Sequence, residues 1–186
     1  MRTNENWIQT YSGRQYWPTD PMPEDISIVD IAHHLSNICR YTGACRKFYS
    51  VAQHSVLMSR MELIIEADLE WLALLHDAAE AYTGDFSRPV KRTHKQMKFL
   101  DTINTVAVLK RFELDGSVSF PPFPPEIEQA DRILLATERR DLMARLPRPW
   151  ISTEQVRPLH ATIVPQLPME AKEAFLNRVR ELKIRR

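Results

Sequence analysis

His76 and Asp77 stand side by side in the stretch E-W-L-A-L-L-H-D-A-A-E-A-Y-T-G-D, and Glu80 and Asp85 follow on the same apolar segment. An imidazole and a carboxylate set among Leu and Ala cost several kcal/mol to bury if they are left unpaired. A divalent cation satisfies both and accepts His and Asp together. His54, in S-V-A-Q-H-S, and Asp131, in Q-A-D-R-I-L-L-A-T-E, are candidates to join them. Two imidazoles and two carboxylates form a mixed nitrogen and oxygen set. Such a set suits Mn, Fe, Co, Ni or Zn better than Ca or Mg, so one or two divalent transition-metal ions are the expected cofactor. Few protein ligands on a six-coordinate ion leave positions open for water and substrate, as in a catalytic site. A bound cation lowers the pKa of its water and stabilises charge developing on phosphoryl oxygens. Glu80, one turn beyond His76 and outside the ligand set, is the expected carrier of the proton.

Each of these residues also has an ordinary reading. A single inward His is more often a hydrogen-bonded core residue than a ligand. Asp131 has Arg132, Arg139 and Arg140 as neighbours in sequence, Glu80 has the option of a solvated helix face, and Asp85 follows Gly84 as a turn residue would. Taken singly, the ordinary readings win. Their joint appearance on three helix faces favours the metal.

The elements that must position these groups are helical. Gly occurs four times in 186 residues and strand-like alternation is scarce, which predicts an all-α, single-domain bundle. Residues 1–26, rich in Trp, Tyr and Pro, read as an irregular arm with a hairpin turning at Ser12-Gly13. Residues 27–145 form the expected core, and 146–186 a Pro-rich loop and a C-terminal helix packed on it. Ser27 is set to cap the first helix, with Asp30 three residues on, Ile31, Leu35 and Ile38 inward, and Gly43 as its stop. Ser50 with Gln53 reads as a capping box opening a second helix, whose face carries His54, Leu57, Met58 and Met61. A third runs from about Asp68 to Thr83, ending at Gly84. A fourth begins near Thr93, with Gln96 at its third position. The Pro-rich stretch 115–125 connects it to a fifth, which starts at Pro125 and aligns Ile127, Asp131, Leu134 and Glu138 on one stripe. Residues 147–168, with five prolines, are expected as loop, and a last helix over about 169–184 buries Phe175, Val179 and Leu182.

Composition narrows the partners. Lys+Arg 25 against Asp+Glu 24 leaves a net charge of +1, so no global charge argues for a stable nucleic-acid partner or an anionic membrane. No apolar run approaches the roughly 20 residues of a membrane span, and the N-terminal residues lack the apolar core of a signal peptide. Two cysteines, Cys39 and Cys45, suit a reducing cytoplasm, and with His33 or His34 they match no common zinc spacing. A homo-oligomer is expected, and the aromatic arm offers a surface that would serve it.

Three separated blocks, S-V-A-Q-H-S, H-D-A-A-E-A-Y-T-G-D and Q-A-D-R-I-L-L-A-T-E, resemble those of the HD-domain phosphohydrolases, with S-N-I-C-R upstream resembling the compact bacterial and prophage deoxynucleotidase-like branch. The likeness spans roughly residues 7–145. It implies an HD-type helical fold, His54, His76, Asp77 and Asp131 as metal ligands, and Glu80 as the catalytic acid/base. It also implies that Asp85, in T-G-D, binds a sugar hydroxyl. In the 5′-deoxynucleotidase branch an Arg-Trp pair upstream of the first ligand reads the 2′-deoxyribose; the pair here is Arg40-Tyr41, and a Tyr has a different shape and an added hydroxyl. Many compact relatives carry a His directly after the glycine; here Ala44 follows Gly43. Lys91, in R-P-V-K, takes a basic position suited to holding a phosphate or, equally, to solvent. Arg46, Lys47, Arg88 and Arg92 lie near in sequence and would suit more than one phosphate.

The implied activity is metal-dependent hydrolysis of deoxynucleoside 5′-monophosphates to deoxynucleoside and phosphate. The alternatives are a dATP-type triphosphohydrolase releasing tripolyphosphate, and a nucleotide sensor without turnover.

Overall fold

The arm comes first and is already part of the core. In the computed structural model, which describes residues 2–3, 5–114, 123–145, 147–148 and 150–184, Ile8–Gln9 (β1) pairs antiparallel with Gln15–Tyr16 (β2). Gly13 takes φ +81° in the turn between them, a conformation that favours glycine. Tyr16 is fully buried, stacks on Tyr82 at 3.8 Å and donates its hydroxyl to Asn104 Oδ1 at 2.5 Å. The arm is thereby bound to two later helices. Ser12 donates through its backbone N and its Oγ to the two oxygens of Asp30, at 2.7 and 2.8 Å. Asp30 therefore holds the hairpin and not the helix N-terminus.

The helices are α1 (Ile28–Asn37), α2 (Val51–Met58), α3 (Ala67–Leu75), α4 (Glu80–Thr83), α5 (Arg88–Thr93), α6 (Lys95–Arg111), α7 (Pro125–Leu142) and α8 (Pro168–Ile184). Their order gives an all-α single domain with, among the described residues, one small two-stranded sheet. α8 packs across α1 and α2, while α7 packs on α2 and α3. The C-terminal segment thus closes the same core, with Ala171, Phe175 and Leu182 fully buried.

Several expected boundaries shift, each for a local reason. Ser27 sits at the N-cap of α1 but makes no side-chain cap bond. The helix stops at Asn37, well before Gly43. Residues 39–50 instead close a loop, with Arg40 N donating to Tyr49 O at 2.9 Å and Val51 N to Ile38 O at 3.1 Å. Ser50 Oγ caps α2 by accepting from Gln53 N at 3.1 Å, but the Gln53 amide turns away to the 164–166 segment, so only half of a capping box forms. The expected single helix over 68–83 is interrupted at His76–Ala79. The expected fourth helix becomes α5 and α6, divided at His94, and Gln96 does not cap it. Of the connector 115–125, residues 115–122 lie outside the described residues. No helix among the described residues is long and apolar enough to cross a membrane.

Candidate metal centre

Three elements deliver the central groups, and each does so through local chemistry. α2 is capped by Ser50, which fixes the turn carrying His54 inward. Between α3 and α4 the backbone tightens to i→i+3 bonds, with Ala78 N on Leu75 O and Glu80 N on Asp77 O, both at 3.0 Å. Residues three apart eclipse in such a turn, so Glu80 follows directly over Asp77. Gly84, at φ +85°, ends α4 and turns the chain toward Asp85. α7 then brings Asp131.

His54 and His76 face each other with Nε2 atoms 3.2 Å apart. Asp131 Oδ1 lies 3.6 Å from His54 Nε2, and the ligand atoms of His54, His76 and Asp131 all lie within 4.8 Å of one another. Asp77 Oδ2 stands 3.0 Å from His76 Nε2 and 3.7 Å from His54 Nε2. Donors about 2.1 Å from one ion lie roughly 3 to 4 Å from each other, so the separations among His54, His76 and Asp131 fit a shared cation. Asp77, whose Oδ2 also accepts from Arg40 Nη1 at 3.3 Å, stands beside that group and is not part of it. The outer nitrogens are already engaged: His54 Nδ1 on Glu138 Oε1 at 2.6 Å, His76 Nδ1 on the carbonyl of Ala73 at 2.8 Å. A carboxylate and a carbonyl only accept, so both Nδ1 atoms carry the proton, and in the neutral rings both Nε2 lone pairs point into the centre. Two lone pairs at that distance repel unless a cation or a proton lies between them. In the chain alone, burial pulls the His76 pKa down, but Asp77, Asp131 and the Ala73 carbonyl together outweigh it and the net shift is upward. Asp77 moves oppositely: burial raises it, and His76, His54 and Arg40 hold it well below the usual carboxylate range.

Glu138 organises the wall behind His54. It is fully buried, accepts from His54 and, through the same oxygen, from the Tyr49 hydroxyl at 2.8 Å. Its other oxygen accepts from the Tyr41 hydroxyl and lies 3.4 Å from Arg40 Nη2. Burial alone would raise its pKa; Arg40, His54 and the Tyr41 hydroxyl reverse that and hold it down to about 2. The inward stripe Asp131, Leu134, Glu138 was the available signal for this residue, but a stripe does not say what the carboxylate meets.

Arg40 is buried and joins the two carboxylates, with Nη1 3.3 Å from Asp77 Oδ2. Its Nε is buried with no partner among the described residues. Tyr41, besides bonding Glu138, lies against Trp150 at 5.8 Å, so a second aromatic from a distant loop stands beside the Arg-Tyr pair. Tyr41 and Thr42 both take left-handed φ, 57° and 53°, at about 1 to 3 kcal/mol each, which the bonds of Arg40 and Tyr41 to Glu138 offset.

Glu80 is also buried. Its Oε1 accepts from Lys91 Nζ at 2.9 Å, and the same ammonium donates to Asp101 Oδ1 at 2.9 Å. Lys91 thus stands between two carboxylates. Glu80 Oε2 has no partner among the described residues. Burial, with Asp77 and Asp85 adding repulsion, pushes the Glu80 carboxyl well above its ordinary range, against the pull of Lys91. Asp85 is half-buried with no hydrogen-bond partner among the described residues, and burial raises its pKa despite Arg40. Asp131 pairs with Arg88 of α5, not with its sequence neighbours Arg132, Arg139 or Arg140. Cys39 and Cys45 are free thiols, and both ring nitrogens of His34 are engaged, by Ala81 O and Tyr11 N.

No protein-family model matches the chain. It is 35% identical to the uncharacterized protein YfdR of Escherichia coli K12 over 178 residues, covering 95% of this chain and 96% of that one. It is 38% identical to the uncharacterized protein RCAP_rcc00048 of Rhodobacter capsulatus over 145 residues, 73% of this chain and 72% of the relative.

Proposed function

The chain belongs to the family that includes Escherichia coli YfdR, and we propose for it a divalent-metal-dependent phosphohydrolase of HD type, acting in the cytoplasm on deoxynucleoside 5′-monophosphates. The observation that carries this reading is the pair of Nε2 atoms 3.2 Å apart, facing Asp77 and Asp131, with both Nδ1 atoms committed elsewhere. His54, His76, Asp77 and Asp131 would hold the ion, and the fit is borne by the two inward Nε2 lone pairs, which no protein donor among the described residues takes up once both Nδ1 atoms carry the proton. A transition-metal cation so held would supply Lewis acidity toward a phosphoryl oxygen and a more acidic water.

The chain's own residues provide the rest. Arg40 brings a cation to the edge of the centre, its Nη1 3.3 Å from Asp77 Oδ2, where its charge favours an anionic substrate. Glu80 is kept protonated by burial and by Asp77, while Lys91 occupies one of its oxygens and leaves the other free. It gives its proton to the leaving 5′-oxygen as the phosphorus–oxygen bond breaks and water becomes part of the released phosphate. Asp85 accepts from a sugar hydroxyl, and Tyr41 with Trp150 presents flat surface to the sugar and base. Lys91 serves the substrate through Glu80 rather than by binding a phosphate directly.

Arg88 favours a second reading. Its side chain is half-exposed beside Asp131, where it can swing to a further phosphate, as a triphosphohydrolase would require. The deciding experiment supplies purified protein with dAMP and dATP separately, in Mn, Co, Zn, Mg and Fe in turn, and identifies the product. Phosphate from dAMP supports the first reading, and tripolyphosphate from dATP the second. No turnover of any ribo- or deoxynucleotide with any of these metals refutes both.

A further inference from the structure

A cavity of about 570 Å³ lies where the end of α7 meets the segment that follows it, and Arg46, Arg139, Arg140, Arg145 and Arg148 line it. Glu154 is the one acid among its lining residues. The chain gathers these guanidiniums by a specific path. Arg46 N donates to Leu142 O at 2.9 Å, which fastens the 44–47 loop to the end of α7. Arg139 and Arg140 occupy the last turn of that helix, and the chain then turns at Met143 to bring Arg145 and Arg148 back.

Cations in the last turn of a helix are ordinary, because they offset its dipole. That accounts for Arg139 and Arg140, which are also anchored: Arg139 on Thr153 Oγ1 at 2.8 Å, Arg140 on Asp141 and on the carbonyls of Leu159 and Ala161. It does not account for Arg46, Arg145 and Arg148, which are exposed and make no side-chain hydrogen bond or ion pair among the described residues. Five guanidiniums facing one concavity, in a chain whose net charge is only +1, concentrate a positive field at one place.

We infer that this cavity is a second anion site, separate from the metal centre, that takes a small polyphosphate such as tripolyphosphate or the phosphate chain of a nucleotide. The concavity is open to solvent, and its volume is of the order of small-molecule sites, roughly 300 to 1,000 Å³. Planar guanidiniums bind phosphate oxygens in pairs, so three unengaged ones match more than one phosphate. None of His54, His76, Asp77, Asp131 or Glu80 lines the cavity. A nucleic-acid strand would need a basic track extending beyond it, and the arginines gathered here come only from Arg46 and the 139–148 segment.

The test is calorimetric titration of metal-free protein with sodium tripolyphosphate, inorganic phosphate and a single-stranded oligonucleotide. Tripolyphosphate should bind at one site per chain, at least about tenfold tighter than inorganic phosphate. R145Q/R148Q should weaken it by about tenfold for each guanidinium removed, and both side chains are exposed, so circular dichroism should show the fold intact. Asp77→Asn should leave this binding unchanged. Tripolyphosphate binding that R145Q/R148Q does not weaken, or that Asp77→Asn abolishes, overturns the site. An oligonucleotide that binds tighter than tripolyphosphate overturns the choice of a small ligand. Because the readout needs neither metal nor turnover, its failure is distinct from failure of the proposed hydrolysis.

Discussion

Glu138 Oε1 lies 2.6 Å from His54 Nδ1, and both side chains are fully buried. This one contact sets the tautomer of the histidine and aims its Nε2 at His76 and Asp131. Acceptors placed behind a ligating imidazole typically carry 10–100-fold of metal affinity. Glu138→Gln should therefore lower affinity for Mn or Co by about that factor, with the ligand set itself intact. Isothermal titration of the two proteins checks this; equal affinities would show that the contact is merely structural.

The same carboxylate makes a pH-dependent contribution to stability. Its pKa in the folded chain is about 2, against 4.5 for an ordinary Glu. A depressed carboxylate stabilises the fold above the unfolded value, and that share is lost as pH falls through the folded one. The loss should run from about pH 4.5 down to 2 and amount to about 3 kcal/mol. Urea unfolding of metal-free protein across that range should show a steeper decline in the wild type than in Glu138→Gln.

Glu80 shifts the other way. If it donates a proton, turnover requires its acid form and falls as pH rises through its raised pKa. Glu80→Gln should lower kcat by about 10²- to 10⁴-fold and erase that alkaline limb. Lys91 pulls the Glu80 pKa down, so Lys91→Met should move the limb to higher pH. A limb unmoved in Lys91→Met would separate Lys91 from proton transfer.

Asp77→Ala should abolish metal binding and turnover while the fold survives, since Arg40 keeps its ion pair with Glu138. A metal at 100 times its Kd stabilises a folded chain by about 2.7 kcal/mol. Thermal melts with and without Mn should therefore separate in the wild type and coincide in Asp77→Ala. Wild-type turnover in this variant would refute the ligand assignment.

Much of the scaffold was legible in local pattern. The spacing of Ile31 and Leu35, of His54 and Met58, and of Ile127, Asp131 and Leu134 marks inward faces, and these residues line the core or the centre. Gly84 and Pro125 stand where helices end and begin. The break at His76–Ala79 was not legible, because apolar periodicity reads the same through an α-helix and a tightened turn of four residues.

The order of residues alone marked the inward faces of α1, α2 and α7, because helical periodicity is a property of neighbours three and four apart. On α6 the apolar spacing of Met97, Leu100, Ile103 and Val106 misled, and Asn104, Ala107, Val108 and Leu109 are buried instead. The order also singled out His54, His76, Asp77 and Asp131, since polar groups on apolar faces are conspicuous. Only the tertiary structure decided the pairings: Glu138 behind His54, Arg40 between Asp77 and Glu138, Lys91 between Glu80 and Asp101, Arg88 on Asp131, and Trp150 beside Tyr41. Most of these partners lie 37 to 109 positions apart. Which donor meets which acceptor over such distances is set by how helices pack, and no short window of sequence encodes that.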